Sequence, residues 1–253
     1  MEKDLRYSRS SLLLGDDVMD ACRRTKVIIF GVGGVGSWCA EGLLRSGIRH
    51  LTLVDDDVVA PSNLNRQLEA TVSNLGRPKV EALRDRLLDI DPEAEITALQ
   101  KTYTAESDKD FGLDGYDYVI DAIDSLRDKM DLIHSASLSR ATLFSSMGAA
   151  CKLDPTLVRV AEFGSVRGCP LGSALRKNMR RLGIYPEKKF LCVYDEQVLP
   201  NLGAERWQEI DKDPRKKRVN GSLVHITSIF GMTLAGLVLQ DIYNGFKSSE
   251  ELL

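Results

Sequence analysis

The sequence has few of the residues that build disulfide scaffolds and zinc clusters. Its 253 residues include three histidines and five cysteines, and the cysteines are scattered without a C-x-x-C pair. Closely spaced cysteine pairs are the usual signature of a disulfide framework or a structural zinc site. Neither kind of scaffold is indicated, and the core must come from apolar side chains.

A strong net charge is also missing. The chain has 34 Lys and Arg against 37 Asp and Glu, a formal charge of −3. This balance excludes a globally basic nucleic-acid-binding protein, although a local basic patch remains open. With 43% hydrophobic and 28% charged residues, the composition is that of a folded globular protein.

Targeting and membrane signals are weak. The first residues, Met1 to Arg6, are charged, so no secretory signal is expected. One apolar stretch, 223–243, is long enough to span a bilayer, but it contains His225, Gln240 and Asp241. We expect a buried core helix there and a cytoplasmic protein that does not enter the membrane.

Strand and helix patterns alternate through the first 145 residues. Short apolar runs predict strands at 26–30, 50–54, 95–99, 118–120 and 142–144. Helical spacing is present between them, at 35–46 and from Pro78 to Ile90. This order predicts an α/β fold, a Rossmann-like doubly wound, mostly parallel sheet with helices on both faces.

The last hundred residues are less regular and are expected to complete the sheet as a smaller C-terminal extension. Alternation predicts a strand at 156–163, and helix and strand patterns follow at 175–182 and 190–194. The polar stretch 195–220 is predicted to be mobile.

A glycine-rich loop follows the first strand. Gly31, Gly33 and Gly36 match G-x-G-x-x-G, and Gly34 lies within the same loop. Such a loop lets a phosphate approach the amino end of the next helix, and an acidic residue such as Asp55 binds ribose hydroxyls. Alone, this pattern is typical of nicotinamide or flavin sites.

Polar residues beyond the second strand favour a triphosphate instead. They comprise two cations and three amides, which are Asn63, Asn65, Arg66, Gln67 and Lys79. A departing pyrophosphate needs more positive charge than a dinucleotide bridge does. Asp121 and Asp124, after the fourth strand, are candidates for holding Mg²⁺, with helix capping as the alternative for both.

These residues together resemble a known enzyme group. The segment Arg6-Tyr-Ser-Arg9, the glycine loop, Asp55, residues 63–67, Lys79 and residues 121–124 are similar to the ThiF/MoeB/HesA superfamily. Its members are bacterial relatives of ubiquitin-activating enzymes and adenylate carboxylates with ATP and Mg²⁺.

The resemblance implies a role for each matching residue. Asp55 would hold the ribose, Asn63, Arg66 and Lys79 would contact the phosphates, and Asp124 would bind Mg²⁺. Arg9 would reach the ATP of the partner in a homodimer. Residues 1–150 would then form the ATP-binding adenylation region, and residues 151–253 the extension that binds substrate and contributes to the dimer.

Within the superfamily, the chain looks most like the tRNA threonylcarbamoyladenosine dehydratases. The matching segments are residues 118–125 with Lys129, 148–150, 154–156, 175–184 and 220–222. The alternative is an enzyme that activates the C-terminal glycine of a ubiquitin-like sulfur carrier, although many of those bear two C-x-x-C pairs. The dehydratase branch is associated with a cysteine desulfurase and its sulfur acceptor, which are possible partners.

Two basic clusters fit an RNA substrate. The first comprises Arg176, Lys177, Arg180, Arg181, Lys188 and Lys189, and the second Lys212, Arg215, Lys216, Lys217 and Arg218. Both could equally be solvated surface. Cys169, between Gly168 and Pro170, is the thiol expected to be exposed, but no catalytic thiol is predicted.

Two other function classes remain open at this stage. An NAD-dependent oxidoreductase would share the glycine loop and Asp55, but it has no need of Lys79 and the segment 63–67. A non-catalytic nucleotide-binding adaptor would have no need to keep Arg66, Lys79 and Asp124 together.

Overall fold

The computed structural model describes residues 5–203 and 220–250. Its strands are β1 (Lys26–Phe30), β2 (His50–Val54), β3 (Glu95–Leu99), β4 (Tyr118–Asp121), β5 (Thr142–Ser146), β6 (Arg159–Glu162) and β7 (Leu191–Tyr194). Its α-helices are α1 (Ser8–Leu14), α2 (Asp16–Arg24), α3 (Gly36–Arg45), α4 (Lys79–Ile90), α5 (Leu126–Leu138), α6 (Pro170–Leu182) and α7 (Val224–Glu250).

The strands form one seven-stranded sheet in the order β3-β2-β1-β4-β5-β7-β6. All neighbours pair in parallel except β6 and β7, which are antiparallel. The strand order reverses between β1 and β4, so their carboxyl ends open a crevice of the kind that binds ligands in doubly wound sheets. The predicted fold class is confirmed.

Alternating side chains of β1 divide the core into two layers. Val27 and Ile29 pack with residues of α3, α4 and α7 on one face of the sheet. Ile28 and Phe30 pack with residues of α5 and α6 on the other. A strand buried on both faces reads as a continuous apolar run, which is why the sequence pattern located it.

Helix α7 is long and apolar enough to cross a membrane by length and composition. In this structure Phe230 and Leu234 are fully buried in the core. A Cβ at Gly231 would lie 2.4 Å from the backbone oxygen of Val35, so the helix packs directly on the start of α3. This packing fits the predicted core helix.

The C-terminal extension departs from its predicted bounds. The strand expected over 156–163 is shorter, because residues Pro155–Leu157 form a 3₁₀ turn that begins at Asp154, whose carboxylate accepts from Thr156 N. Helix α6 begins at Pro170, five residues before its predicted start, since proline suits the first turn. Most of the segment predicted to be mobile, and the whole second basic cluster, lie outside the described residues.

Candidate active site

The glycine loop joins β1 to α3 at the carboxyl edge of the sheet. Gly31 has φ +82°, and a Cβ there would lie 2.7 Å from the backbone oxygen of Ala122, in the turn after β4. A Cβ at Gly36 would lie 1.9 Å from the Gly31 oxygen. Only glycine fits both positions, and the loop leaves the amino end of α3 facing the crevice.

Asp55 ties this loop to the end of β2. Its two carboxylate oxygens accept hydrogen bonds from Val32 N (2.8 Å) and Asp57 N (2.9 Å). Burial raises the pKa of Asp55 above its ordinary value, while the nearby Lys79 charge opposes the rise. The predicted ribose ligand therefore also fixes the backbone of the glycine loop.

Lys79 begins α4 and is 5% exposed. Its Nζ lies 2.8 Å from Asp57 Oδ2. Burial acts to lower the pKa of the ammonium, but the Asp55 and Asp57 carboxylates raise it above the ordinary value. Lys79 is thus a fixed positive charge beside the loop.

Arg66 lies half-buried in the segment after β2. Its guanidinium donates to Ser62 O and Asn65 Oδ1, both at 2.8 Å, and its own carbonyl accepts from the Trp38 indole at 3.1 Å. Burial lowers the pKa of the guanidinium, and the charges of Asp124 and Glu69 oppose this effect. Asp124 and Arg66 therefore face a common space.

Glu69 is a buried acid that the sequence reasoning missed. It is 1% exposed, and neither carboxylate oxygen has a hydrogen-bond partner among the described residues. The neighbouring hydroxyl of Ser37 donates instead to Gly33 O at 2.6 Å. Burial raises the pKa of Glu69 to about 7.

Gln67 shares this lack of partners. Its side chain is 8% exposed, and its Oε1 accepts no hydrogen bond within the described part of the chain. Its Nε2 would lie 3.2 Å from a Cβ placed on Gly33. Buried polar atoms are rarely left unpaired in proteins, so this corner of the crevice has unused hydrogen-bonding capacity.

The two acidic residues at the carboxyl end of β4, Asp121 and Asp124, have different environments. Asp121 and Lys129 are both fully buried and pair at 2.7 Å, and Ser145 Oγ donates to Asp121 at 2.6 Å. Lys129 also donates to Ile123 O at 3.1 Å, which holds the turn that carries Asp124. Asp121 therefore does not face the crevice, contrary to its expected placement, because its charge is neutralised inside the protein.

Asp124 is exposed and has no hydrogen-bond or salt-bridge partner in the described ranges. An unpaired carboxylate beside a polyphosphate site is a suitable oxygen ligand for Mg²⁺, which takes few protein ligands. Asp124 makes no side-chain cap of α5 either. The residues present fit the cation that the resemblance implies.

Two predicted site residues do not have their expected contacts. The Asn63 side chain accepts from Ala60 N at 2.9 Å and closes its own 3₁₀ turn, so it shapes the segment that carries Arg66. Arg9 is exposed on α1. Tyr7, the residue before this helix, donates a hydrogen bond to Asp91 at the amino edge of the sheet. Arg9 is therefore remote from the glycine loop of its own chain.

The cysteines differ from expectation at one position. Cys169 is 1% exposed in the core under α6, so the prediction of an exposed thiol is wrong. Cys169 directly precedes Pro170, the first residue of α6, and packs in the core. Among the cysteines, Cys151 is half-buried and the other four are buried.

Known proteins are similar to this chain over most of its length. A tRNA threonylcarbamoyladenosine dehydratase from Bacillus subtilis (strain 168) is 35% identical over 240 residues, covering 93% of this chain and 94% of the relative. A molybdopterin-synthase adenylyltransferase from Escherichia coli (strain K12) is 32% identical over 202 residues, covering 79% and 76%.

A solved structure has the same architecture. The crystal structure of E. coli tRNA N6-threonylcarbamoyladenosine dehydratase in complex with ATP has a TM-score of 0.85 and 29% identity, and each chain is covered to 96%. The model of the ThiF family matches residues 7–245. The crevice, its glycine loop and its cations therefore occur in a chain that belongs to the ThiF family.

Proposed function

We propose that this protein is an ATP-dependent tRNA threonylcarbamoyladenosine dehydratase. The observation that carries the proposal is the 35% identity to a dehydratase of that name over 93% of this chain. The molybdopterin-synthase adenylyltransferase has lower identity over a smaller share of the chain. The similar solved structure contains ATP, which supports ATP as the nucleotide of this protein.

The residues of the crevice suit attack of a carboxylate on ATP. The threonyl carboxylate of the modified adenosine attacks the α-phosphorus, the bond to pyrophosphate breaks, and an acyl adenylate forms. Both reactants are anionic, so Arg66 and Lys79 lower the barrier by neutralising charge that develops on the phosphates. Asn65 and Gln67 add side-chain amides to the phosphate side, and Asp55 positions the ribose.

A second step releases AMP. A nucleophile within the same side chain attacks the activated carbonyl and displaces AMP, which closes a ring with net loss of one water from the nucleoside. The reaction is intramolecular, so the protein has only to hold a reactive conformer. Mg²⁺ held by Asp124 would neutralise phosphate charge when bound.

A homodimer with Arg9 acting across its interface completes the proposal. Leu12 and Leu13 are each 81% exposed and lie three and four residues after Arg9, on the same face of α1, and Leu5, in the turn before the helix, is equally exposed. An apolar face around a cation that lies far from its own crevice suits contact with a second copy of the chain. We also propose that the protein acts in the cytoplasm and that it works with a sulfur-acceptor partner, as expected for the dehydratase branch.

Analysis of nucleosides by mass spectrometry tests the activity. The protein is incubated with ATP, Mg²⁺ and tRNA that carries threonylcarbamoyladenosine, with unmodified tRNA as the matched control. Loss of one water from the modified nucleoside, with AMP and pyrophosphate in equal amounts, is the expected result. Unchanged tRNA, together with pyrophosphate exchange driven by a sulfur-carrier protein, would favour the alternative activity.

Mixing two inactive variants tests Arg9. If Arg9 serves the partner, Arg9→Ala and Lys79→Ala protomers together form a mixed dimer with one complete site. The mixture then recovers activity that neither variant has alone. If Arg9 acts within its own chain, mixing restores nothing.

A further inference from the structure

A second cavity lies on the opposite edge of the sheet from the glycine loop. It has a volume of about 350 Å³ and is formed by α6, the end of β6 and the segment leading into β7. Phe190 precedes β7, which runs parallel to β5, whereas the glycine loop follows the carboxyl end of β1. The cavity is therefore separate from the crevice, and its size is within the usual range of about 300–1,000 Å³ for ligand pockets.

The floor of this cavity is aromatic. Phe163 and Phe190 stack with ring centroids 5.1 Å apart and an interplanar angle of 20°. The Arg176 guanidinium lies 5.7 Å from the Phe163 ring centroid and donates to Phe163 O at 3.0 Å. These contacts fix the planar guanidinium at one side of the cavity. Tyr185 lies at the mouth and is 55% exposed.

The rim is basic. Arg176, Arg180, Lys188 and Lys189 line the cavity against two carboxylates, Glu162 and Glu187. Lys189 lies 3.5 Å from Glu162, whereas Arg180 is exposed and has no salt-bridge partner in the described parts of the chain. The electrostatic balance favours an anion.

The cations follow a line along α6. Arg176 and Arg180 are four residues apart, which is about 6 Å along a helix axis, and Lys177 and Arg181 repeat the spacing beside them. Such a row suits successive phosphates of a single strand. The exposed ring of Tyr185 and the fixed guanidinium of Arg176, which the buried phenylalanines support from below, suit the face of an unstacked base.

We infer that this cavity, lined by Tyr185, Arg176 and Arg180, binds an unpaired nucleotide of the RNA substrate at a distance from the reacting adenosine. The inference rests on the proposed function. It gives the acidic protein a second contact that holds RNA without taking part in adenylation. An acidic protein partner would use the cations but would leave the aromatic floor without a role.

Two exposed side chains allow a direct test. Tyr185→Ala removes the exposed ring, and Arg180→Glu reverses the unpaired charge. Lys109→Glu is the matched control, because Lys109 is exposed on the β3–β4 connection outside the cavity. Affinity for the modified tRNA is measured by fluorescence anisotropy at fixed salt, and AMP formation is measured on the same samples.

The cavity variants are expected to weaken tRNA binding five-fold or more, since stacking of one base is worth about 1–3 kcal/mol. KM for tRNA should rise by the same factor, while kcat at saturating tRNA and KM for ATP stay within two-fold of the parent protein. Lys109→Glu should bind as the parent does. Normal tRNA affinity in both cavity variants would overturn the inference.

Crosslinking provides a readout that needs no variant. Modified tRNA containing 4-thiouridine is irradiated with the parent protein, and crosslinked peptides are mapped. Peptides from 176–190 support the inference, and crosslinks confined to the crevice refute it. If the parent protein binds tRNA at the cavity but forms no AMP with it, the proposed function fails while the cavity assignment stands.

Discussion

Two buried carboxylates at opposite edges of the sheet have opposite environments. At the amino edge, Asp91 is fully buried and accepts from Arg6 at 2.6 Å, Tyr7 at 2.7 Å and Arg49 at 2.6 Å. At the carboxyl edge, Glu69 is equally buried and has no partner in the described chain. One carboxylate is saturated with donors, and the other is left without them.

The pKa values follow this difference. Burial acts to raise the pKa of Asp91, but the hydrogen bonds from Tyr7 and Glu93 N and the Arg49 charge bring it below the ordinary value. Burial raises the pKa of Glu69 to about 7, and its neighbours, which include the Lys79 charge, offset only part of the rise. The hydrogen-bonded Asp91 stays ionised and stabilises the fold, whereas the unpaired Glu69 keeps its proton to a higher pH.

Removing the saturated carboxylate should have the largest effect on stability. Asp91→Ala leaves two arginines near a site with no carboxylate, and breaking a buried pair costs about 3–5 kcal/mol. Urea unfolding measures the loss of free energy of unfolding, while ATP affinity of the folded variant should stay normal. Glu93→Ala is the control, because Glu93 bonds to the same arginines but is 68% exposed, so its loss should cost below about 1 kcal/mol. Equal losses in the two variants would contradict the comparison.

Removing a cation from the carboxyl edge of the sheet should have the largest effect on activity. Lys79→Ala is expected to slow AMP formation about 10²–10³-fold, because a fixed charge no longer stabilises the transition state. Arg84→Ala, on the same helix and 38% exposed, is the matched control and should keep nearly full activity. Adenylation by Lys79→Ala within ten-fold of the parent would refute the role, and an unfolding curve shows whether the fold is intact.

Glu69 should make the protein less stable as the pH rises. The folded pKa of about 7 exceeds the ordinary value of 4.5, so the folded state binds more protons than the unfolded chain between these values. Stability is then expected to fall from about pH 4.5 to 7, by up to about 3 kcal/mol. Asp91, with its lowered pKa, loses its contribution only below about pH 4.

Glu69→Gln sharpens this contrast, since a neutral amide has no proton to lose. The variant should show a flatter stability profile than the parent between pH 5 and 8, measured by thermal unfolding. The same slope in both proteins would assign the pH dependence to another group.

The smallest effect is expected at a glycine of the amino edge. Gly47 has φ +101°, and a Cβ there would meet only the flexible end of Met19, at 2.7 Å. Gly47→Ala should cost about 1–2 kcal/mol of stability from the left-handed backbone and leave ATP affinity unchanged. Gly76→Ala, at φ +82° in open space, is the matched control. A loss of ATP affinity in Gly47→Ala would show that the two edges are coupled.

Much of the fold could be predicted because buried parallel strands are continuous apolar runs. The bounds of β1, β2 and β3 agree with the prediction to the residue. The predictions at 156–163 and Cys169 failed because a local turn and the packing of α6 override the pattern there. The packing of α6 is a tertiary contact that local sequence does not carry, whereas the turn at Asp154 is local and was hidden by the alternating pattern.

The candidate site could be predicted in part. The glycine loop, Arg66 and Lys79 have a recognisable spacing along the chain, and the structure brings them to one crevice. Glu69 was missed because the residues next to it in the sequence do not show that its side chain is buried without a hydrogen-bond partner. Asp121 was placed wrongly because its partner Lys129 lies on the following helix, and the ion pair forms only when β4 and α5 pack.

The indole of Trp38 has a practical consequence. It donates to the carbonyl of Arg66, so the local polarity around this fluorophore depends on where the arginine segment lies. Because the chain has two tryptophans, replacing Trp207 with phenylalanine would leave Trp38 as the sole indole emitter. Its emission would then report occupancy of the crevice in real time, without a labelled nucleotide.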